Sequence, residues 1–326
     1  MPLNEIPILE LRQVVKRFRL PRRRLNEQPR VIHAINKVDL SINQGETLAL
    51  IGESGCGKTT LGRCAIRLYQ PTEGKVLFRG IDVTETRGVR LLPFRKSVQM
   101  VFQDPNSSLN PRMPAASTIE EPMQIHQMGN RAFRRERVEE AMDAVGLSRQ
   151  FSNRYPHEFS GGQRQRIAIA RTLVLEPDLI IADEPVSALD VSIQSQVLNL
   201  FAELRETRGL ALLFITHDLS VVNFIADRVA VMYLGRIIEI ADRDVLLREP
   251  RHPYTQTLRT AVPNPGSGKR PPRDTVIGDS PDPTSHTHGC PFHPRCPEAR
   301  NICREVEPVL DPVCGNIKHQ VACHFK

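Results

Sequence analysis

Eight consecutive residues carry the clearest chemistry in the 326-residue chain: Gly52-Glu53-Ser54-Gly55-Cys56-Gly57-Lys58-Thr59. The glycines leave backbone N–H groups free to converge on an anion with no Cβ in the way. Lys58 offers a point charge to the outer phosphates of a nucleotide, and the Thr59 hydroxyl suits Mg²⁺. The apolar run Thr47–Ile51 precedes the octet and the helix-like Thr60-Leu61-Gly62-Arg63-Cys64-Ala65-Ile66 follows it. Strand, loop and helix in that order are the context in which such a loop cradles phosphate at a helix N-terminus. Candidate ligands are Gly52, Ser54, Gly55, Cys56, Gly57, Lys58, Thr59 and Thr60, with Cys56 a small filler.

A second constellation ends the apolar run Leu179-Ile180-Ile181-Ala182 with Asp183-Glu184. Adjacent strand residues point to opposite faces, so the two acids take different work. Asp183 fits a Mg²⁺-holding carboxylate, and Glu184 a group that polarises an attacking water. A third, Ser160-Gly161-Gly162-Gln163, reads either as a second anion-binding helix start or as an ordinary capped helix. Taken as an anion site, it leaves two such sites for one obvious nucleotide.

The elements that must hold these groups form an α/β pattern. Thr47–Ile51, 97–102, Leu179–Ala182 and 210–215 are apolar runs of the kind buried in a largely parallel sheet, and Gln163–Leu175 has helical periodicity. Residues 31–45 and 74–80 read as short antiparallel strands. About 110–158 reads as a charged helical insertion, clearest at Arg131–Gly146, and 229–241 as a hairpin broken at Gly235. Composition shifts at Pro263 into a Pro- and Gly-rich linker, 263–289, ahead of a Cys-rich tail, 290–326.

Hydrophobic residues make up 40% and charged residues 25%, which is ordinary for a globular protein. The net charge of +7 admits anionic partners, while the absence of Trp and 5% aromatic content disfavour a base-stacking platform. The basic stretch from Lys16 to Arg24 reads as a solvated loop. No run approaches the roughly 18 apolar residues of a membrane span. The N-terminus lacks the build of a secretory signal, so the expectation is a cytosolic protein that only a partner holds at a membrane.

Taken together, these motifs resemble those of the ATP-binding-cassette ATPases. The octet, Gln103 in Val101-Phe102-Gln103-Asp104-Pro105, Ser160-Gly161-Gly162-Gln163, Asp183-Glu184, Ser187-Ala188-Leu189-Asp190 and His217 in Ile215-Thr216-His217-Asp218 occur in that family's order across about residues 8–245. The resemblance implies an ATP-hydrolysing α/β P-loop core with an antiparallel β subdomain and a helical subdomain at about 110–175, the whole nucleotide-binding domain spanning 1–262. It also implies two such domains packed head to tail, each ATP meeting the loop of one and Ser160–Gln163 of the other. Thr59, Gln103 and Asp183 would then serve Mg²⁺, Glu184 and His217 the attacking water, with Gln103 also catalytic in linking metal and water to the transmembrane partner, Asp190 the dimer seam, and Phe18 the adenine ring.

Asn110-Pro111-Arg112, Tyr155-Pro156-His157 and Arg251-His252-Pro253-Tyr254-Thr255 extend the resemblance to the ATP-binding subunits of dipeptide and oligopeptide permeases. That subfamily implies a second ATPase subunit, typically a different one, two transmembrane permease subunits, an extracytoplasmic substrate-binding protein, and a place on the cytoplasmic face of the inner membrane. A cassette acting on nucleic acid or ribosomes is the alternative.

Five of the seven cysteines fall in the tail, and Cys290, Cys296, Cys303 and Cys323 are spaced C-x5-C-x6-C-x19-C. Disulfides do not suit a cytosolic protein, which leaves zinc, an iron–sulfur cluster or free thiols. His286, His288, His293, His319 and His324 are further zinc donors. The resemblance to peptide-permease subunits favours a 4Fe-4S cluster on the four cysteines.

Overall fold

The computed structural model describes residues 6–20, 30–260 and 288–326. Residues 21–24 of the basic stretch, residues 263–287 of the predicted linker and His286 lie outside the described residues. Among those described, the strands are β1 (Leu9–Arg19), β2 (Val31–Ile42), β3 (Thr47–Ile51), β4 (Glu73–Phe78), β5 (Ile81–Asp82) and β6 (Val98–Val101). They continue as β7 (Leu179–Asp183), β8 (Ala211–Ile215), β9 (Arg228–Tyr233), β10 (Arg236–Asp242), β11 (Asp311–Val313) and β12 (Asn316–Val321). Two compact units result: one is built mainly from Ile42–Glu46 and Phe78–Phe214, the other from Glu10–Ser41, Thr47–Leu77 and Ile215–Lys326.

In the first unit β6, β7 and β8 lie side by side, with β6 and β7 parallel and Val98 opposite Leu179. Every residue of β7 and of β8 is buried, which is why both read as unbroken apolar runs. The helices Ala115–Ile125, Arg131–Ala144 and Gly161–Leu173 pack on one another. Asn130 caps the second of these by accepting the Phe133 N–H at 2.9 Å, and Gly146, at φ 67°, follows its end. Ion pairs from Arg134 to Glu120 and from Arg171 to Glu121, each at 2.8 Å, tie this helical layer together.

In the second unit β3 and β9 are parallel, and β9 turns back antiparallel into β10 through Leu234 and Gly235. This is the hairpin expected at 229–241. The turn residues have φ of 42° and 78°, the left-handed backbone that a two-residue hairpin turn requires. The Cys-rich tail adds β12 antiparallel to β10, with Glu239 opposite Val321, and β11 beyond it.

One expectation is corrected here. Lys16-Arg17-Phe18-Arg19, read as part of a solvated loop, is the end of β1, which lies between β2 and β4. Val14 and Val15 are buried, Lys16 Nζ donates to Gln70 O at 2.8 Å, and Arg17 pairs with Glu73 at 2.6 Å. Paired charges on the open face allow a basic sequence to be a strand.

The core of the second unit contains Tyr233, Tyr254 and Phe292, with ring centroids 4.7 Å apart for the first pair and 5.3 and 5.5 Å from each to Phe292. Such pairs contribute about 0.5–1.5 kcal/mol each beyond burial. They fasten the tail to β9 and to the helix Pro253–Thr260. Among the described residues no helix is long and apolar enough to cross a membrane.

Candidate functional site

The octet leaves the end of β3 and runs into the helix Lys58–Ala65. Gly57 caps that helix at φ 110°, where a Cβ would lie 2.4 Å from Ala34 O, so a side chain is excluded both by backbone and by space. Lys58 is buried, and its ammonium donates to Gly52 O at 2.7 Å and Glu53 O at 2.9 Å. The lysine is therefore folded over the loop it would serve. Burial pushes the Cys56 thiol up, which keeps it neutral and suits a filler. Behind the loop Gly235 N–H donates to Cys56 O, and Asn36 N–H donates to Gly235 O, both at 2.8 Å. The β9–β10 turn thus braces the loop against β2.

Three contacts to this loop were not anticipated, and all converge on Glu53. Its backbone N–H donates to the Tyr254 hydroxyl at 2.8 Å, and its two carboxylate oxygens accept from Arg295 Nη1 and Nη2 at 2.9 Å each. Arg295 also reaches the Tyr233 hydroxyl at 3.4 Å. A carboxylate within an anion-binding loop is a like charge that calls for a cation, and that was the signal available in the sequence.

His217 is exposed just beyond Thr216, whose N–H donates to Leu50 O at 3.2 Å, immediately upstream of the loop. Phe18 is half-buried at the end of β1, edge-on to Tyr69 at 5.5 Å, with Lys16 Nζ 5.1 Å from its ring centre.

In the first unit Gln103 Nε2 donates to Glu184 Oε2 at 2.9 Å. Asp183 closes β7 and is buried, whereas Glu184 turns into the left-handed region at φ 46°. The two acids occupy different environments, but the expected strand alternation is not the reason: the strand ends at Asp183 and Glu184 has already left it. At the start of the helix Gly161–Leu173, Ser160 Oγ accepts from Gln163 N–H at 3.3 Å, and Gln163 Oε1 accepts from Ser160 N–H at 3.0 Å. This is a capping box, so the ordinary reading of that motif is present locally. Gly162 is also required by packing, since a Cβ there would lie 2.4 Å from Ile193 Cγ2.

Comparison with known proteins shows the family to which these motifs belong. The ABC transporter family profile matches residues 35–187, and the profile of the oligopeptide/dipeptide transporter C-terminal region matches 238–303. The oligopeptide transport ATP-binding protein AppF of Bacillus subtilis is 51% identical, over 99% of this chain and 98% of its own. The chain belongs to the ABC transporter ATP-binding proteins.

A probable peptide ABC transporter ATP-binding protein of Sinorhizobium fredii is 48% identical, over 91% of this chain and 83% of its own. The solved structure of the ATP-binding cassette MJ0796 bound to ADP and Pi has a TM-score of 0.64 at 31% identity, covering 72% of this chain and 98% of that one. CbiO1 of Clostridium perfringens gives 0.65 at 27% identity, covering 78% and 96%. The protein is an ATP-hydrolysing ABC cassette, and these similarities give no support to the nucleic-acid alternative.

In the tail of this ABC cassette, Cys290, Cys296, Cys303 and Cys323 line one cavity together with Phe292 and Phe325. Cys290 N–H donates to Cys303 O at 2.8 Å. Burial, reinforced by the nearby sulfurs of Cys303, Cys323 and Cys296, pushes the Cys290 thiol up to about 11. Among the described residues no three His, Cys, Asp or Glu side chains are grouped so as to hold a metal ion. The expected zinc or iron–sulfur centre therefore finds its four thiols around a common cavity without the close donor grouping of an ion site.

Three of the other donors considered are engaged with protein groups. His319 Nε2 lies 2.8 Å from Glu239 Oε1, His293 Nδ1 2.9 Å from Cys290 O, and His324 Nε2 2.9 Å from Val306 O. Cys314 is exposed.

Proposed function

We propose that this cassette energises the uptake of dipeptides or oligopeptides through a membrane importer. The observation that supports peptide as cargo is the match of residues 238–303 to the oligopeptide/dipeptide transporter C-terminal region, joined to 51% identity with an oligopeptide transport subunit. In this reading Lys58 and the loop N–H groups bind the β- and γ-phosphates, and Phe18 lies against the adenine. Thr59, Asp183 and Gln103 would hold Mg²⁺, which would supply positive charge against the phosphates. Glu184 takes a proton from the attacking water, with His217 helping to hold it. Ser160, Gly161, Gly162 and Gln163 complete the ATP site of a second cassette, in the manner of a dimer. The partners are that second ATPase subunit, of a different sequence, two transmembrane permease subunits at the cytoplasmic face of the inner membrane, and an extracytoplasmic binding protein.

The test is co-purification with the membrane subunits and reconstitution into vesicles. Peptide-loaded binding protein is expected to stimulate phosphate release, with peptide accumulating in step. ATP turnover that ignores every di- and oligopeptide tried, in a complex that responds to another solute, rejects the cargo assignment.

We further infer that the four tail cysteines hold an iron–sulfur cluster. A single zinc ion draws its sulfurs to about 2.3 Å from one centre, whereas each thiolate of a 4Fe-4S cluster takes its own iron and the four stand farther apart. The placement of all four thiols around one cavity is the observation behind this reading. Such a group would supply structural cross-linking of the tail.

A further inference from the structure

We propose that Arg295, carried by the Cys-rich tail, is a positioning residue for the phosphate loop, acting through Glu53. Every polar group of Glu53 is held. The N–H goes to the Tyr254 hydroxyl, the carbonyl accepts from Lys58, and the carboxylate takes a two-pronged bond from Arg295. Lys58 spends two of its three N–H donors on Gly52 O and Glu53 O, and Arg295 and Tyr254 hold Glu53 independently of where the lysine turns.

Arg295 is suited to that work. It is 8% exposed, its guanidinium carbon is 5.9 Å from the ring centres of both Tyr233 and Phe292, and the planar fork matches a carboxylate without further adjustment. Pairing also cancels a negative charge that would otherwise face a triphosphate from within its own cradle. The arginine ends the short turn His293–Arg295, in sequence between Cys290 and Cys296, two residues that line the thiol-bearing cavity. The order of the tail is thereby transmitted to the nucleotide site over 242 residues of sequence.

This inference rests on the ATP-binding reading of the loop, and Lys58→Ala separates the two: if that variant binds ATP like wild type, the reading of the loop is wrong. The experiment is titration of the full-length chain with a fluorescent ATP analogue, alongside kcat and KM for ATP in the purified importer complex. Arg295→Ala is expected to weaken nucleotide binding and raise KM roughly tenfold, with kcat at saturating ATP changed less than about twofold, the scale of one buried charge-assisted bond. Adding Glu53→Gln removes the uncompensated carboxylate, so the double variant is expected to bind more tightly than Arg295→Ala alone. A purely structural arginine would show no such recovery. Arg295→Lys keeps the charge but loses the fork and should fall between wild type and Arg295→Ala; it serves as the test if the alanine variant does not fold. Wild-type affinity in either Arg295 variant, or a double variant no better than the single, overturns the proposal.

Discussion

Gln103 reaches 2.9 Å from a carboxylate oxygen of Glu184, and Glu184 holds that position on a left-handed backbone, φ 46°, a conformation that costs a residue with a side chain about 1–3 kcal/mol. Ser187 offsets part of that cost, its N–H and hydroxyl both donating to Glu184 O at 3.3 and 3.1 Å. Glu184→Gln keeps the side-chain shape and removes the base. ATP hydrolysis is expected to fall roughly 10²- to 10⁴-fold while ATP is still bound. Single-turnover phosphate release and nucleotide retention on a sizing column measure the two separately; near-wild-type release rejects Glu184 as the base.

The start of the helix Gly161–Leu173 makes a packing prediction independent of catalysis. Gly162→Ala places its methyl 2.4 Å from Ile193 Cγ2, a branched methyl with little freedom to move. The cost should be about 1–3 kcal/mol of overpacking. Ile193→Ala in the same chain should recover most of it, read as the urea midpoint of the single and double variants. Recovery would show that Gly162 is needed for space against the helix Val191–Arg208. Equal midpoints for wild type and Gly162→Ala would mean the backbone yields freely there.

Much of the phosphate-loop scaffold was legible because its chemistry is local. Thr47–Ile51, Leu179–Ala182 and 210–215 are continuous apolar runs, and strands covered on both faces leave no other pattern. Gly235 marked the hairpin for the same reason. β1 was missed because Arg17 finds Glu73 and Lys16 finds Gln70 only once the sheet is formed. Glu53 signalled the need for a cation, but Arg295 could not be named as that cation, since the pair joins residues 242 apart across a tail with little periodicity. Ser160–Gln163 stayed ambiguous because one short segment can satisfy its own helix end and still present N–H groups to an anion.

The tail cavity predicts a composition. Protein purified without air should carry about four irons with matching sulfide and show a broad visible absorbance. Cys303→Ser, removing a buried thiol of the cavity, should lower both together. Stoichiometric zinc without iron in wild-type protein rejects the cluster in favour of an ion site, and metal-free protein of unchanged stability rejects both.

His252 makes the fold sensitive to acid in a direction that can be worked out. It is 2% exposed, and its Nδ1 accepts the Tyr254 N–H at 3.0 Å, which demands an unprotonated nitrogen there. Burial, with a smaller push from Lys326, lowers the imidazole from its ordinary 6.5 to about 3. The nearby carboxylate of Glu239 is already engaged by the N–H groups of Arg251 and His252 and by His319, and the Arg251 side chain is turned to Glu249. The unfolded chain takes up a proton below 6.5 and the folded chain does not, so this contribution to stability is complete above 6.5 and drains away as pH falls toward 3. Between about pH 7.5 and about pH 5.5 the loss assignable to this residue should be about 1.4 kcal/mol. His252→Asn keeps an acceptor for the Tyr254 N–H and cannot titrate. Urea unfolding at the two pH values should show a steeper acid loss in wild type than in His252→Asn, and equal losses would mean that His252 is not the group responsible.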